Sequence, residues 1–247
     1  PQLQNVHKIK LWNSSRVRDG ALVMLYGYML KMIIADRTAL MVDRIFHAQE
    51  YSLYGGLTVW VAAILFSLQI YCDFAGYTYI AIGASKVMGI ELMNNFDTPY
   101  LAMSIKEFWN RWHISLTSWF RDYLYYPLGG SRKGKIRKYV NIMIVFAVSG
   151  LWHGAAWHYV AWGILHGFMR VIEEITEKLR NKVRSFFQIK DQVLSYKAFR
   201  VCVTFVLVTL AWVFFRAETI GQALDLIKSM MTVWNPWVLF DDSLLSV

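Results

Sequence analysis

The stretch Ser149-Gly150-Leu151-Trp152-His153-Gly154 decides the fold, because it interrupts an apolar segment that runs from Tyr139 to Phe168. It places an imidazole beside glycines where little water is at hand to solvate it, and polar side chains at such positions usually have a function. The glycines also allow another backbone or a ligand to come close to the ring. His153 is therefore the first candidate functional residue.

The composition is typical of an integral membrane protein. The 247 residues are 56% hydrophobic and 16% aromatic, which exceeds what a soluble core needs. The formal charge of +9 lies in short basic blocks between apolar runs. Such blocks indicate cytoplasmic loops beside anionic lipid rather than binding of nucleic acid. Cys72 and Cys202 both lie in apolar runs, so no disulfide framework is expected.

Two basic blocks flank the central apolar segment. Residues 131–138 contain five Lys or Arg, and residues 173–200 are charged throughout. The positive-inside rule places both blocks in the cytoplasm, together with the polar residues 1–19 that carry Lys8 and Lys10. The segment between the two blocks must then enter the membrane and return.

That segment is too short to cross a membrane twice comfortably. A helix from Tyr139 to Val171 spans roughly 50 Å, and two perpendicular crossings need about 60 Å. We therefore expect a tight hairpin whose turn, at residues 150–154, ends inside the membrane. His153 should border a solvent-filled recess reached from the outer side, and Trp152 should pack against neighbouring helices to brace the turn.

Other apolar runs supply further helices. The run from Ala21 to Ala35 predicts a short helix that ends at Asp36-Arg37. Two more runs are predicted as separate helices joined at residues 73–76, where Asp73 is expected to lie at a helix end and to pair with a Lys or Arg. These two runs are Leu57 to Cys72 and Ala75 to Ile90. Later in the chain, Val201 to Phe215 predicts a further apolar helix and Ile220 to Met231 an amphipathic one.

The residues from Ser104 to Tyr126 are predicted to form one amphipathic helix. Aromatic residues recur at steps of three and four on one face, while Arg111, Ser118 and Asp122 lie opposite them. Such a helix could lie in the interface plane of a membrane. Its density of polar groups instead favours a helix that packs against the apolar helices while its polar stripe lines a cavity. The polar stripe beside the aromatic face consists of Lys106, Asn110, His113, Thr117 and Arg121. The Pro127-Leu128-Gly129-Gly130 turn ends the pattern.

The chemistry that these residues favour is general-base catalysis. The spacings among His153, His158 and His166 lack the i, i+4 pair of a helical zinc motif, and no carboxylate accompanies them, so a metal site is not favoured. We expect His158 and His166 to hydrogen-bond between helices. No nucleophile elbow, P-loop or paired catalytic cysteine is present. The remaining possibility is one or two histidines acting on a hydroxyl of the substrate, although His113 also fits an interfacial, hydrogen-bonded role.

Four motifs resemble the membrane-bound O-acyltransferase superfamily, and within it the bacterial alginate O-acetyltransferase type. They are Phe108 to Leu116 (FWNRWHISL), Trp119 to Leu124 (WFRDYL), the Pro127 to Gly130 turn and Gly150 to Gly154 (GLWHG). The similarity extends from residues 31–37 to residues 212–218. A D-alanine-exporting branch shares both histidine motifs, but the Pro-Leu-Gly-Gly turn before a basic loop favours the acetyltransferase branch.

The resemblance implies the fold and the location. Residues 1–247 should form a single all-α integral membrane domain, with short, tilted and re-entrant helices around a thinned core. The protein should be a multi-pass protein of the bacterial inner membrane. Because members of the superfamily are considerably longer, the chain is expected to be the carboxy-terminal portion of one, without the amino-terminal helices.

The resemblance also implies an activity. An acetyl group should pass from a cytosolic acyl thioester, acetyl-CoA or another, to a hydroxyl of an extracellular or periplasmic polysaccharide or of a partner protein. No bound cofactor and no metal are implied. His153 would be the catalytic histidine and His113 the second one. The other motif residues are candidates for substrate binding: Asn110, Arg111, Trp112, Arg121, Asp122 and Trp152.

Alternatives to acetyl transfer remain open on the sequence alone. D-alanyl transfer to teichoic acid uses the same histidine motifs. A transporter would also place polar residues in short broken helices, but it would need no acyl donor. A scaffold subunit would tolerate replacement of His153. The acceptor polymer, whether alginate, another exopolysaccharide, cellulose or peptidoglycan, is not specified by these residues.

Overall fold

The computed structural model describes residues 12–47, 55–190 and 192–232, and all regular secondary structure in this part is helical. Lys8 and Lys10 lie outside the described residues. Ten α-helices are described, with π-helical segments at Met29–Ala35 and Arg121–Tyr125 and a 3₁₀ turn at Pro99–Leu101. The α-helices are α1 Ser14–Tyr28, α2 Asp36–Phe46, α3 Gly56–Val87, α4 Ile105–Arg111, α5 Ile114–Phe120, α6 Lys135–His153, α7 Trp157–Ile175, α8 Glu177–Phe186, α9 Leu194–Arg216 and α10 Ile220–Thr232.

The spine of the fold is α3, a single helix of 32 residues. The predicted break at residues 73–76 is wrong, and Asp73 lies inside the helix. Its carboxylate pairs with Lys31, with Nζ 2.6 Å from Oδ1, so the predicted pairing is confirmed although the helix end is not. A single carboxylate with a partner does not interrupt hydrogen bonding along a helix, and this segment contains no proline.

The first helical run is longer than predicted. It does not end at Asp36, because the π-helical segment Met29–Ala35 carries it directly into α2. The Asp36 carboxylate accepts a second ion pair from Lys31 at 2.9 Å. Asp36, which suggested a helix end, therefore pairs with Lys31 inside the π-helical segment.

Glycines bring α1 and α3 into backbone contact. Gly20 lies against Gly83 and Gly27 lies against Gly76, so that a Cβ on any of the four would collide with the opposite backbone. Two helices that touch along glycines gain close van der Waals packing over their length. This pair holds the Lys31–Asp73 ion pair at a fixed place on the spine.

The central apolar segment forms the predicted hairpin. Helix α6 ends at His153, the turn covers residues 154–156, and α7 begins at Trp157. At the opposite end the ammonium of Lys138 pairs with Glu174. We call this the basic end, because the basic residues 131–138 precede or begin α6 there. Within the hairpin the helices touch at Gly150 and Gly163, where a Cβ would collide with the carbonyl groups of Tyr159 and Phe146.

The prediction of one helix from Ser104 to Tyr126 is wrong. Helix α4 ends at Arg111, Trp112 is extended, and His113 has a left-handed φ of 45° before α5 begins. A neighbouring segment takes over the broken helical hydrogen bonds. The Asp97 amide donates to the Arg111 carbonyl and the Ile114 amide donates to the Asn95 carbonyl, both at 3.0 Å. The two short helices meet at His113 as a second hairpin.

Two of the described helices, α3 and α9, are long and apolar enough to cross a membrane. The C-terminal α10 is amphipathic as predicted, and the indole of Trp60 on α3 donates to the Met230 carbonyl at 3.2 Å. A cluster of buried aromatic rings joins the hairpins to α3 and α9: Phe66, Phe108, Trp112, Trp162 and Trp212. The tail that carries Trp234 and Trp237 lies outside the described residues.

Candidate active site

A cavity of about 460 Å³ lies between the two hairpins, and both histidines line it. We call it the histidine cavity. His113 and His153 come from the tips of their hairpins, whereas Lys138 and Arg170 line the cavity near the basic end. The backbone amide of Ile105 at the start of α4 donates to Glu173 of α7 at 3.0 Å. Beyond α5, the Gly130 carbonyl accepts from the Asn141 side chain on α6 at 2.9 Å, so both hairpins open toward that end. The prediction that His153 borders a cavity is confirmed, whereas the predicted entry from the outer side stays a prediction.

His153 is held by aromatic rings. Its imidazole lies edge-on to Trp162 and to Phe215, with ring centroids 5.1 and 5.3 Å away. Within the described part of the chain, no hydrogen bond occupies its ring nitrogens. Packing therefore fixes the ring, while a nitrogen remains able to accept a proton from a bound molecule.

His113 is positioned by its backbone. Its left-handed conformation is uncommon for a residue other than glycine, though histidine adopts it more readily than most. The adjoining start of α5 is held by Asn95, whose side-chain oxygen accepts from the Ser115 amide at 3.1 Å. The ring itself lies edge-on to Phe74, with centroids 4.5 Å apart.

The predicted polar stripe lines the cavity even though the predicted helix does not exist. Each half of the stripe keeps its helical spacing on α4 or α5, and the break at His113 turns both halves toward the same space. The cavity lining includes all five stripe residues: Lys106, Asn110, His113, Thr117 and Arg121. Trp112 also lines it.

Three predicted substrate-binding residues lie elsewhere. Arg111 stabilises the break between α4 and α5, since it pairs with Glu107 at 2.7 Å and donates to the Thr98 hydroxyl at 3.0 Å. Asp122 pairs with Arg121 at 3.1 Å and does not line the cavity. Trp152 packs against its neighbours less than predicted, because 58% of its surface is exposed.

Trp152 nevertheless touches both histidines. The centroid of its indole lies 5.0 Å from that of His153 and 6.4 Å from that of His113. It is the residue whose ring spans the tips of the two hairpins.

The two other central histidines have different surroundings. His166 accepts a hydrogen bond at Nδ1 from the indole of Trp109, at 3.3 Å, which confirms the prediction of a bond between helices. His158 instead packs at a tilt against the adjacent Tyr159, with ring centroids 4.1 Å apart. Within the described part of the chain, no three His, Cys, Asp or Glu side chains come together as a possible set of metal ligands.

A second cavity of about 350 Å³ lies on the other side of Phe215. We call it the Asp73 cavity. Asp73, His158, Arg216 and Glu218 line it, together with the buried amide oxygen of Gln69, which has no hydrogen-bond partner in the described structure. Arg216 also pairs with Asp43 of α2. Because Phe215 lines this cavity and packs on His153, it separates His153 from the second space.

Sequence reasoning missed Asn95, Trp109 and Phe215. Asn95 lies in the polar turn Asn94-Asn95 that precedes Asp97-Thr98-Pro99, a pattern that predicts a turn but not which helix it caps. Trp109 and Phe215 belong to apolar faces, where the pattern gives no reason to single out one ring. Only the tertiary contacts assign them to the site.

Comparison with known proteins identifies the group to which these motifs belong. The model of the membrane-bound O-acyltransferase family matches residues 7–215. The chain is 39% identical over 205 residues to the probable alginate O-acetylase AlgI of Pseudomonas syringae pv. tomato, covering 83% of this chain and 37% of that protein. It is 35% identical over 219 residues to a peptidoglycan O-acetyltransferase of Helicobacter pylori, covering 89% of this chain and 40% of that protein.

A third relative is named for a different activity. The teichoic acid D-alanyltransferase of Streptococcus thermophilus is 30% identical over 210 residues, covering 78% of this chain and 50% of that protein. The chain thus spans half or less of the length of each of these three relatives.

Proposed function

The chain belongs to the membrane-bound O-acyltransferase family, and from that premise we propose that it carries the transfer site of an O-acetyltransferase of the bacterial cell envelope. The observation that carries this proposal is the meeting of His113 and His153 at one cavity, each from the tip of its own hairpin. Two helix tips that present imidazoles to the same space form a site for chemistry rather than a packing contact.

The proposed reaction is acyl transfer from a thioester to a hydroxyl. His153 accepts the proton of the hydroxyl as its oxygen bonds to the carbonyl carbon. The carbon–sulfur bond then breaks, and the proton passes from His153 to the leaving thiolate. General-base assistance of this kind contributes about 10²- to 10⁴-fold. The rest of the rate comes from holding thioester and hydroxyl within reach of each other.

The polar stripe supports the donor in this proposal. Asn110 and His113 lie where they can hold the thioester or donate to the oxyanion that develops on its carbonyl oxygen. Lys106, Arg121, Lys138 and Arg170 line the cavity toward the basic end. Because Lys138 and Arg170 are paired with Glu174, Lys106 and Arg121 are the cations that best suit the phosphates of acetyl-CoA or of a carrier-bound acyl thioester. Such a donor is a co-substrate rather than a resident cofactor.

We assign the Asp73 cavity to the acceptor. Carboxylates, an amide oxygen and a guanidinium beside the rings of Tyr159 and Phe215 suit the hydroxyls and the flat faces of a carbohydrate. The acceptor is then a hydroxyl of an extracytoplasmic polysaccharide, such as alginate or peptidoglycan, or of a partner protein that passes the acetyl group on. The named relatives support acceptors of this class.

The proposed arrangement in the membrane follows from charge and helix length. Helices α3 and α9 span the inner membrane, and the α4–α5 and α6–α7 hairpins are re-entrant from the cytoplasmic side. The basic residues 131–138 favour a cytoplasmic location for the basic end. Both histidines then lie in a thinned core, where irregular backbone lines a protein cavity, and only the acyl group passes from one side to the other.

A second candidate is D-alanyl transfer to teichoic acid. The teichoic acid D-alanyltransferase relative matches 78% of the chain, and His153 would act on the same type of thioester. The two activities differ in the acyl group delivered, so that chemical identification of the ester on the acceptor separates them.

The test uses the full-length protein in its own cell. His153→Ala should abolish the ester-linked acetate that mild alkali releases from envelope polymers, while the amount of folded protein stays near wild type. His47→Ala, which changes an exposed histidine at the end of α2, is the matched control and should leave the ester unchanged. Near-normal acetate in the His153→Ala strain would exclude the general-base role and favour a transporter or a scaffold.

A further inference from the structure

His166 is a fully buried histidine that does not line either cavity. It lies on α7 with 0% of its surface exposed. Five aromatic rings surround it, with centroids between 5.0 and 6.3 Å away: Phe108, Trp109, Phe146, Trp162 and Trp212.

One hydrogen bond distinguishes this histidine from a phenylalanine. Its Nδ1 accepts from the indole N–H of Trp109, so a neutral ring carries its proton on Nε2. That Nε2 is buried and has no hydrogen-bond partner in the described structure. An unpartnered buried N–H destabilises a fold, and a phenyl ring would fill the same space without it. A phenyl ring would, however, leave the Trp109 indole N–H without this acceptor, so the feature that distinguishes the histidine is its bond to Trp109.

The hydrogen bond between Trp109 and His166 fixes the Trp109 indole, which belongs to the site. Trp109 lines the histidine cavity, and its ring packs edge-on against Trp162 with centroids 5.8 Å apart. Trp162 in turn packs against His153 at 5.1 Å. A turn of the Trp109 indole would thus change both the cavity wall and the support beneath the imidazole of His153.

We propose that His166 is a positioning residue for acyl transfer, which acts by holding the Trp109 indole in place. This rests on the proposed function of the histidine cavity. His166 touches no reacting group, because it does not line the cavity. Its role is to keep the wall beside His153 in the one orientation that brings donor and hydroxyl together.

The test compares two replacements of His166 in the full-length protein. His166→Asn keeps an acceptor near the position of Nδ1, whereas His166→Phe keeps the ring and removes the acceptor. We expect His166→Phe to lower the initial rate of polymer acetylation, per folded protein, by about 10- to 100-fold, as for a misplacement of about 1 Å. His166→Asn should restore most of that rate.

A double-mutant cycle separates positioning from stability. Trp109→Phe should reproduce the loss while leaving His166 in place, and adding His166→Phe to it should cost nothing more, since the bond is already gone. Trp60→Phe is the matched control. It removes the hydrogen bond from the Trp60 indole on α3 to the Met230 carbonyl, and neither residue belongs to a hairpin. It should leave the acetylation rate unchanged.

Several results would overturn the proposal. They are a wild-type rate in either His166→Phe or Trp109→Phe, losses that multiply in the double mutant, or a His166→Asn rate as low as that of His166→Phe. The strain with His153→Ala is measured in parallel. If that strain still acetylates the polymer, the proposed function itself fails. If it is inactive while His166→Phe is normal, only the role of His166 is wrong.

Discussion

The imidazole of His153 meets the phenyl ring of Phe215 edge to face, with ring centroids 5.3 Å apart. Phe215 also lines the Asp73 cavity. A single aromatic ring therefore stands between the candidate general base and the space that we assign to the acceptor. In the proposed reaction, the acceptor hydroxyl must reach His153 past this ring.

Replacing Phe215 should uncouple breakdown of the donor from transfer. Phe215→Ala would open the wall and admit water to the thioester, so that hydrolysis competes with transfer. We expect the ratio of free acetate to polymer-bound acetate to rise in inverted membrane vesicles supplied with labelled acetyl-CoA. Phe214→Ala, one residue away on α9, is the control and should keep the wild-type ratio. An unchanged ratio in Phe215→Ala would mean that this ring is not the barrier.

His113 is best tested with asparagine. Asparagine tolerates the left-handed backbone at this position, so His113→Asn removes the imidazole while it keeps the break between α4 and α5. If His113 only stabilises the oxyanion or holds the donor, the acetylation rate should fall by about 100- to 1,000-fold, with the melting temperature unchanged. A loss as complete as that of His153→Ala would indicate that the two histidines act as a unit.

Asn95 should matter for both stability and activity. Asn95→Ala removes the side-chain acceptor of the Ser115 amide, and loss of such a cap costs about 1 kcal/mol. The start of α5 would then be free to shift, and His113 with it. We expect a lower melting temperature in detergent together with slower acetylation. The neighbouring Asn94 is exposed, and Asn94→Ala should change neither quantity.

The orientation in the membrane is testable with single cysteines. In a background without Cys72 and Cys202, a cysteine that replaces Ser131 should resist an impermeant thiol reagent added outside intact cells, since the adjoining basic residues favour the cytoplasm. A cysteine that replaces Thr219, which follows the far end of α9 and is exposed, should react. The opposite labelling pattern would invert the topology and place the donor on the wrong side.

The parts of the fold that depend on local pattern were predictable. The α6–α7 hairpin follows from charge bias and length, and the stripe from Lys106 to Arg121 lines the cavity because spacing on a short helix is a local property. The break at His113 was not predictable, because its hydrogen bonds come from residues 95–97 of another segment. The continuity of α3 was missed for a similar reason, since the partner of Asp73 is Lys31, on a different helix.

The contacts at Gly150 and Gly163 give the two halves of the site different mechanical properties. Backbone lies against backbone where α6 and α7 meet at these glycines. This hairpin is therefore rigid, and His153 moves only together with both helices. The α4–α5 hairpin contains no glycine. Its α4 side is held by Phe108 and Trp112 in the buried aromatic cluster, whereas the start of α5 is held by hydrogen bonds at Asn95 and is the part that can shift more easily. Any opening of the cavity that admits a bulky thioester should therefore displace His113 and the start of α5, while His153 keeps its position.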